Sequence, residues 1–463
     1  MVSLVQCNFG KPRERLILAL AFSLLNFIHA NLLVALFDPT LPAFQFLSAL
    51  LAIDGVSLLL IWLVTLLMPI LLLSFDRVKI LLVIGFWSLA VFLVLDLLYF
   101  YISFEGVLIP MFFLIGFYGG VNRKIKAAYS FFLFTLLGSL CLFLALLVLY
   151  CETGKTGFEV LLATPFSYSR QRLLWLAFFL SLAIKIPQVP FHLWLIEAHV
   201  EAPTAASVLL AAILLKLGTY GFIRFSLPLF PEASNYFSPG VALFAILALI
   251  YSSLATLAQL DLKKIIAYSS IAHMNFALVG LFSNNFTAIA TSFYFLISHG
   301  LISAGLFLLI GLLYDRLHTR TIKYFKGLVI ISPLFILMLL LFTFANAAVP
   351  ATSGFIAEFS ILVGVAFSMP WFALFLSLAI LLTPAYALLL FHRIAYGQIS
   401  HYITTTLFAD LTTLEFHLLF TLLSFTLILG IFPTHLFTLL HYSTLKLIMI
   451  SWPLSFLGRY NFT

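Results

Sequence analysis

Apolar residues run in long stretches along the whole chain, and polar residues collect in short clusters between these stretches. Most stretches are about 20 residues long, the length at which an α-helix crosses the hydrocarbon core of a bilayer. The pattern predicts an all-α polytopic membrane protein with about 13 transmembrane helices. The predicted spans lie near residues 16–37, 54–75, 79–99, 101–121, 127–150, 173–195, 203–226, 239–260, 265–283, 286–313, 328–366, 371–397 and 414–433.

Two segments depart from the simple pattern. The predicted span at 328–366 is too long for one straight crossing. It contains Pro350 and Gly354, so we expect it to be broken there. The apolar segment from His435 onwards is expected to form a surface helix or a partner-binding segment.

Composition supports a membrane protein. Of the 463 residues, 64% are hydrophobic and 8% are charged, whereas soluble domains carry about 25% charged residues. A soluble domain of any size is therefore excluded, and the net charge of +7 does not indicate a nucleic-acid partner. The first apolar run, from Leu16 to Phe37, is too long for the apolar region of a signal peptide, so we expect a retained helix.

Lysine and arginine are concentrated in alternate loops. One side of the predicted membrane collects most of them, including Arg123, Lys263 and Arg320. Because basic loops stay on the cytoplasmic or matrix side, the N-terminus is predicted there and the C-terminus on the opposite side. The opposite loops keep only Lys155, Arg170, Arg172, Arg224, Lys446 and Arg459.

The chain also has an internal duplication. Residues 79–226 and 239–397 each contain five predicted spans, so the second set enters the membrane in the opposite sense. Each set has a Val-Pro pair in its fourth span, and inverted repeats with interrupted helices at matching positions are typical of ion-coupled transporters. We therefore predict two inverted five-helix repeats between N-terminal transmembrane helices (1–78) and C-terminal transmembrane or partner-binding helices (398–463).

Two lysines lie in the middle of predicted spans. Lys185 is about a dozen residues, roughly 18 Å of helix, from the start of its span. Pro187 and Pro190 remove the helical hydrogen bonds of two neighbouring carbonyls, which then need water or the lysine ammonium as a partner. Lys216 lies at a similar depth in the next span, near Gly218, which allows close helix packing. A snorkelling lysine or a structural ion pair is the alternative, but charges at this depth favour a function.

Glu105 is a candidate partner for Lys185. It lies in apolar surroundings, where a carboxylate next to a lysine lets both groups stay charged. When such a pair closes, the lysine keeps its proton. When it opens, the lysine is left in apolar surroundings and releases the proton, so the pair would act as a switch.

Three further titratable residues lie inside later spans. They are His273, His299 and Glu358, the last of which follows the second Val-Pro pair by eight residues. A lone histidine in a membrane helix is often only an interhelical hydrogen-bonding residue. Together with the two lysines and Glu105, however, the set indicates a proton relay.

Other polar residues are given simpler interpretations. Asp54 and Asp96 are expected to be charges or hydrogen-bond acceptors at helix ends. His192 and His199 share one helical face and, with two nearby glutamates, are expected to form a hydrated mouth. A metal site there is disfavoured, because the sequence pattern does not bring further ligands together with these histidines and glutamates.

A resemblance to a known family rests on the segment KIPQVPFHLWLIEAHVEAPTAASVLLAAILLKLGTYGFIRFSLPLFP. This segment resembles the central signature of the subunit 4 family of mitochondrial NADH:ubiquinone oxidoreductase (respiratory complex I). Further motifs of these antiporter-like subunits are similar to DLKKIIAYSSIAHMNF, SFEGVLIPMFFLIG, SHGLISAGLF and GFIAEF. The similarity extends from about Asp54 to Arg393.

The resemblance implies an antiporter-like fold and assigns roles to titratable residues. By this resemblance, Glu105 and Lys185 would form the pair at the broken helix. Lys216, His273 and His299 would be the central connecting groups, and Glu358 would be the terminal acidic residue of the second half-channel.

The predicted function is that of a proton-translocating membrane-arm subunit of complex I, a translocase. Protons would move along a hydrated axis of buried Lys, Glu and His, driven by quinone reduction elsewhere. Cys7, Cys141 and Cys151 form no cluster-binding motif, so no cofactor is expected in this chain. The FMN, iron–sulfur clusters and ubiquinone of the complex would belong to the assembly.

The expected partners are other membrane-arm subunits, including neighbouring antiporter-like subunits, and membrane lipids. The expected location is the mitochondrial inner membrane or, alternatively, a bacterial plasma membrane. Two other functions remain open at this point: a subunit of a multi-subunit sodium/proton antiporter, and a structural membrane-arm scaffold whose charges only fix helix packing.

Overall fold

The computed structural model describes residues 12–41, 44–46, 50–75, 77–120, 123–400 and 409–451. Cys7 and Arg459, which were named above, lie outside these residues. The described chain is almost entirely helical, apart from a two-stranded antiparallel pair formed by β1 (Gln45–Phe46) and β2 (Ala52–Ile53).

The chain divides into two compact units. The first comprises the residues up to Pro187, the segment Ile213–Val241 and the residues from Thr438 onwards. The second comprises Gln188–Ala212 and Ala242–Phe437. The predicted division into two five-helix repeats stays a prediction.

The first unit contains the N-terminal helices and the segment that carries Lys216. Its long helix Lys124–Thr153 packs against the helices Leu108–Tyr118 and Tyr168–Lys185, and the helix Gly55–Ser74 packs against Pro12–Leu36 and Val78–Leu93. The C-terminal α21 also contributes to this unit, because a methyl group added at Gly55 would collide with the carbonyl of Leu439. In chain order, the helices of this unit are α1 (Pro12–Leu36), α2 (Gly55–Ser74), α3 (Val78–Leu93), α4 (Leu97–Gly106), α5 (Leu108–Tyr118), α6 (Lys124–Thr153), α7 (Phe158–Ala163), α8 (Tyr168–Lys185), α11 (Leu215–Gly221), α12 (Leu227–Leu229) and α21 (Thr434–Ser451).

The second unit contains the remaining helices. Its centre is α15, which packs against α14, α17, α18 and α20. The helix α13 begins in the first unit and continues in the second. In chain order, the helices are α9 (Leu193–Glu201), α10 (Thr204–Leu209), α13 (Pro231–Ala258), α14 (Leu262–Leu281), α15 (Phe286–Leu317), α16 (Leu328–Ile331), α17 (Pro333–Asn346), α18 (Ser353–Ser368), α19 (Pro370–Ala395) and α20 (Thr413–Ile431), with a short 3₁₀ turn at Ile322–Tyr324.

Each predicted span corresponds to a helix or to helices separated by a break. Within the described residues, nine helical segments have both the length and the hydropathy needed to cross a bilayer. Three shorter apolar helices, α3, α17 and α18, accompany them. The fold class is therefore confirmed as that of an all-α chain with many membrane-spanning helices, and the total of thirteen crossings stays a prediction.

Both predicted helix breaks are confirmed. The chain leaves the α-helix after Lys185 and resumes it at Leu193. It leaves again after Asn346 and resumes at Ser353. Each gap contains proline, which cannot donate a backbone N–H to continue the helical hydrogen bonds.

The structure also confirms the simple interpretation of two aspartates. The side chain of Asp54 accepts a hydrogen bond from the Ser57 backbone N–H at the start of α2. Asp96 accepts from the backbone N–H groups of Leu98 and Tyr99 at the start of α4. Carboxylates at these positions satisfy N–H groups that have no partner within the helix.

The prediction that Arg224 lies in a loop is wrong. Arg224 lies in a π-helical segment, Phe222–Ser226, and is only 5% exposed. Its Nη1 lies 2.9 Å from Asp54 Oδ2, and its Nε donates to the hydroxyl of Tyr220. The ion pair compensates the charge, so this arginine can remain inside an apolar helix.

Two basic residues from the predicted loop charges cap the C-terminal end of α9; Arg320 lies in a loop, whereas Lys263 lies in the first turn of α14. The Nζ of Lys263, which is buried, donates to the carbonyl of Ala202 at 2.7 Å. The guanidinium of Arg320 donates to the carbonyl of Val200 and lies near Glu201. The last carbonyls of a helix have no partner within it, and cations favour this end of the helix dipole.

A distant carboxylate caps α17, and its removal tests this arrangement. Asp410 accepts hydrogen bonds from the backbone N–H groups of Leu334 and Phe335, each at 3.0 Å. Asp410→Ala is expected to lower stability by about 1 kcal/mol, as for other helix caps. Thermal unfolding of the purified complex measures the effect. Asp38→Ala, which changes an exposed carboxylate, is the control, and an equal effect of the two variants would contradict the capping role.

Candidate functional site

The first site lies where α8 ends, in the first unit. Lys185 is the last residue of this helix, and the chain turns away at Ile186 and Pro187. Its side chain is 3% exposed, and its Nζ lies 4.1 Å from the centre of the Phe104 ring. A cation above an aromatic face is stabilised by the negative charge density of the ring. The ammonium is therefore held in an aromatic environment next to a helix break.

Glu105 shares this environment. It follows Phe104 on α4, and its carboxyl interacts electrostatically with Lys185 and faces Ser139 of α6. Within the described part of the chain, Lys185 Nζ and Glu105 Oε1 have no hydrogen-bond partner. The two charges thus attract each other without a direct ion pair.

Lys216 lies on α11, between two π-helical segments, Leu210–Leu214 and Phe222–Ser226. Its side chain is fully buried. Single π-helical turns inside helices occur mostly as local insertions and are frequent at functional sites. The sequence pattern places Lys216 at mid-depth but contains no signal for these irregular turns.

The segments that carry the two lysines are in direct contact. A methyl group added at Gly218 would lie 3.1 Å from Lys185 Cβ and 2.8 Å from Ile186 Cγ1. A methyl group at Gly221 would lie 2.6 Å from Leu182 Cδ2. The glycines allow α11 to approach the end of α8 closely, as the sequence predicted. The first unit therefore gathers Glu105, Lys185 and Lys216 into one region.

The second site lies in the second unit and is centred on His273 of α14. His273 Nδ1 lies 3.1 Å from Glu358 Oε1 of α18. The ring of His299 on α15 lies 5.6 Å from the His273 ring, measured between centroids. All three side chains are buried. The structure thus brings together the three titratable residues that the sequence predicted for the later spans.

Tyr386 is a member of this second site that the sequence analysis missed. It lies on α19, is buried, and its hydroxyl lies 3.3 Å from His273 Nε2. The Tyr386 hydroxyl also has a hydrogen-bonding neighbour in Asn346, the last residue of α17. A single tyrosine in an apolar helix does not indicate that it belongs to such a site, because its partners come from helices that are distant in the chain.

The predicted hydrated mouth around His192 and His199 is wrong. Both histidines are buried, and so is Glu201. The ring of His199 stacks on Phe307 at 4.6 Å, and that of His192 packs edge-on against Tyr251 at 5.4 Å. The contacts of α9 with α14 cover this face, which the sequence alone could not show. Among the described residues, no group of three or more side chains could hold a metal ion.

Comparison with known proteins agrees with this architecture. Residues 94–383 match the sequence model of a family described as NADH:quinone oxidoreductase/Mrp antiporter, transmembrane. The chain is 44% identical to NADH-ubiquinone oxidoreductase chain 4 of Marchantia polymorpha, over 96% of this chain and 94% of that protein. It is 46% identical to the protein of the same name from Arabidopsis thaliana, with the same coverage.

A solved structure gives the same result. The chain aligns with a subunit in the structure of respiratory complex I from Thermus thermophilus with bound NADH, at a TM-score of 0.87 and 28% identity. The alignment covers 97% of both chains. Sequence and fold therefore agree along almost the whole length, and the chain belongs to the NADH:quinone oxidoreductase/Mrp antiporter family of membrane subunits.

Proposed function

We propose that this chain is a proton-translocating membrane-arm subunit of an NADH:ubiquinone oxidoreductase. The observation that carries the proposal is the pair of half-buried Glu105 and buried Lys185 at a helix break, with Lys216 on the adjoining segment. A buried ammonium without a hydrogen-bond partner is costly to stability. Its position is therefore better explained by a function that needs a proton to come and go.

Proton release in the first unit would follow from the distance between the two charges. When Glu105 approaches Lys185, the carboxylate stabilises the ammonium and the proton stays on the lysine. When the charges separate, burial favours the neutral amine and the proton moves to the next acceptor. The region around α11 contains Lys216, which would be the acceptor in this unit.

The second unit would use a histidine and a carboxylate. A histidine can gain a proton on one ring nitrogen while it releases one from the other. His273 contacts Glu358 through Nδ1 and lies next to the ring of His299. These three residues would take up and pass on protons in the second unit.

The energy for translocation would come from redox chemistry on other subunits. In this proposal the FMN, the iron–sulfur clusters and ubiquinone belong to the rest of the complex. The partners would be the other membrane-arm subunits, among them neighbouring antiporter-like subunits, together with membrane lipids. The location would be the mitochondrial inner membrane or, alternatively, a bacterial plasma membrane.

One substitution tests the switch directly. Glu105→Gln keeps the size of the side chain but removes the charge that holds the proton on Lys185. NADH-driven proton uptake, measured in vesicles that contain the complex, is expected to fall by about tenfold or more, as for the loss of one interaction with a charged group. Glu159→Gln, which changes an exposed glutamate, is expected to retain full uptake.

The alternatives give different results in the same vesicles. Uptake at the parent rate in Glu105→Gln would remove the basis of the switch. Proton movement that depends on sodium and needs no NADH would favour a sodium/proton antiporter subunit. Proton translocation that tracks NADH oxidation and is insensitive to sodium supports the proposal.

A further inference from the structure

Tyr386 contacts the second ring nitrogen of His273, the histidine at the centre of the second site. Its hydroxyl lies 3.3 Å from His273 Nε2, while Glu358 Oε1 lies 3.1 Å from Nδ1 on the other side of the ring. The three side chains come from α19, α14 and α18 and are all buried. Both ring nitrogens of His273 are therefore engaged by groups that can exchange hydrogen bonds.

The chemistry of the two partners fixes the proton arrangement on the ring. An ionised carboxylate can only accept hydrogen bonds, so Nδ1 must carry the hydrogen that faces Glu358. In the neutral ring, Nε2 is then an acceptor, and the Tyr386 O–H donates to it. When the ring carries two protons, Nε2–H donates instead and the Tyr386 oxygen accepts. A hydroxyl can take both roles, whereas neither a phenyl ring nor a carboxylate can.

A neighbour allows the hydroxyl to change roles. Asn346 is a side-chain hydrogen-bonding neighbour of Tyr386. Its amide has both a donor and an acceptor, so it can receive the O–H when the oxygen of Tyr386 accepts from His273. The ring of Tyr386 packs with Ala347 and Val349 at the helix break, which holds the hydroxyl beside the histidine.

We propose that Tyr386 is a positioning residue that orients His273 and sets its tautomer for proton transfer to Glu358. The transfer begins with two protons on the ring. The N–H bond at Nδ1 breaks and an O–H bond forms at Glu358 Oε1. The neutral ring keeps its hydrogen on Nε2, and this N–H donates a hydrogen bond to the Tyr386 oxygen. This inference rests on the proposed function of the second unit.

The substitution Tyr386→Phe removes the hydroxyl and keeps the ring. NADH-driven proton uptake is expected to fall by about tenfold to a hundredfold, the range for one hydrogen bond to a charged group. The titratable groups that contact the His273 ring among the described residues are Glu358, Tyr386 and His299. Because the Tyr386 hydroxyl contacts the ring nitrogen opposite Glu358, its removal is also expected to displace the pH profile of uptake.

A matched control is available in the same unit. The hydroxyl of Tyr294 is buried and donates to the backbone carbonyl of Leu429 at 2.8 Å, and its ring stacks on Phe437. Tyr294→Phe thus also removes one buried hydrogen bond, but from a backbone group. It is expected to keep the parent pH profile and near-parent uptake at equal amounts of assembled complex.

The outcomes separate the two proposals. If Glu358→Gln abolishes uptake while Tyr386→Phe keeps both the parent rate and the parent pH profile, the positioning role is wrong and the proposed function stands. If Glu358→Gln pumps at the parent rate, the proton-transfer role of the second unit fails. A loss of uptake in Tyr386→Phe that only follows a loss of assembled complex, with an unchanged pH profile, would also overturn the positioning role.

Discussion

Replacing Lys216 by Met is expected to reduce NADH-driven proton uptake by about a hundredfold or more, the usual contribution of a group that transfers protons. The side chain is fully buried on a short helix between two π-helical segments, beside the end of the helix that carries Lys185. Methionine has a similar length and no charge, so it fits the space but cannot carry a proton. Vesicles that contain the intact complex allow uptake and NADH oxidation to be measured together.

The result also decides between transport and scaffolding. The control is Lys155→Met, which alters an exposed lysine outside the helices and should leave uptake unchanged. If Lys216→Met assembles normally and loses uptake, the lysine serves transport. If it assembles and pumps at the parent rate, the buried charge only fixes helix packing, and the scaffold alternative is preferred.

Replacing Arg224 by Met is expected to destabilise the first unit by about 3 kcal/mol, the lower end of the cost of breaking a buried ion pair, because Asp54 is partly exposed. The substitution leaves the Asp54 carboxylate without its ion-pair partner and removes the donor to the Tyr220 hydroxyl. It also removes the contact of the guanidinium with the Phe44 ring at 4.7 Å. The fall in stability can be followed by thermal unfolding of the purified complex.

A double variant gives the internal control for this prediction. Asn at position 54 can still accept the hydrogen bond that caps α2, but it carries no charge. Arg224→Met combined with Asp54→Asn is therefore expected to be more stable than Arg224→Met alone. A single variant as stable as the parent, or a double variant less stable than the single one, would show that the ion pair is not what makes Arg224 important.

The breaks in the helices were predictable from the sequence, because proline acts locally. Pro187, Pro190 and Pro350 each lack the N–H that the helix requires, whatever surrounds them. Asp54 and Asp96 were predictable as helix caps for a similar reason, since a cap bonds to residues two or three positions further along the chain. Depth in an apolar span likewise indicated that Lys185 and Lys216 are buried.

The sequence was less informative about charged residues whose partners are distant. Arg224 was assigned to a loop because it lies near the end of an apolar stretch, and only folding brings Asp54 to it from the start of α2. His192 and His199 were expected near water for the same reason. In the structure, the neighbouring helices bury both rings.

By itself, the sequence determined that the chain spans a membrane, where its helices are interrupted, and which titratable residues lie inside apolar spans. These properties depend on composition and on hydrogen bonds between residues close in the chain. Only the tertiary structure decided that Glu105 faces Lys185, that Glu358 and Tyr386 bind opposite nitrogens of His273, and that π-helical turns flank Lys216. The contacts of Glu105 and of His273 join helices far apart in the chain, so they are set by packing.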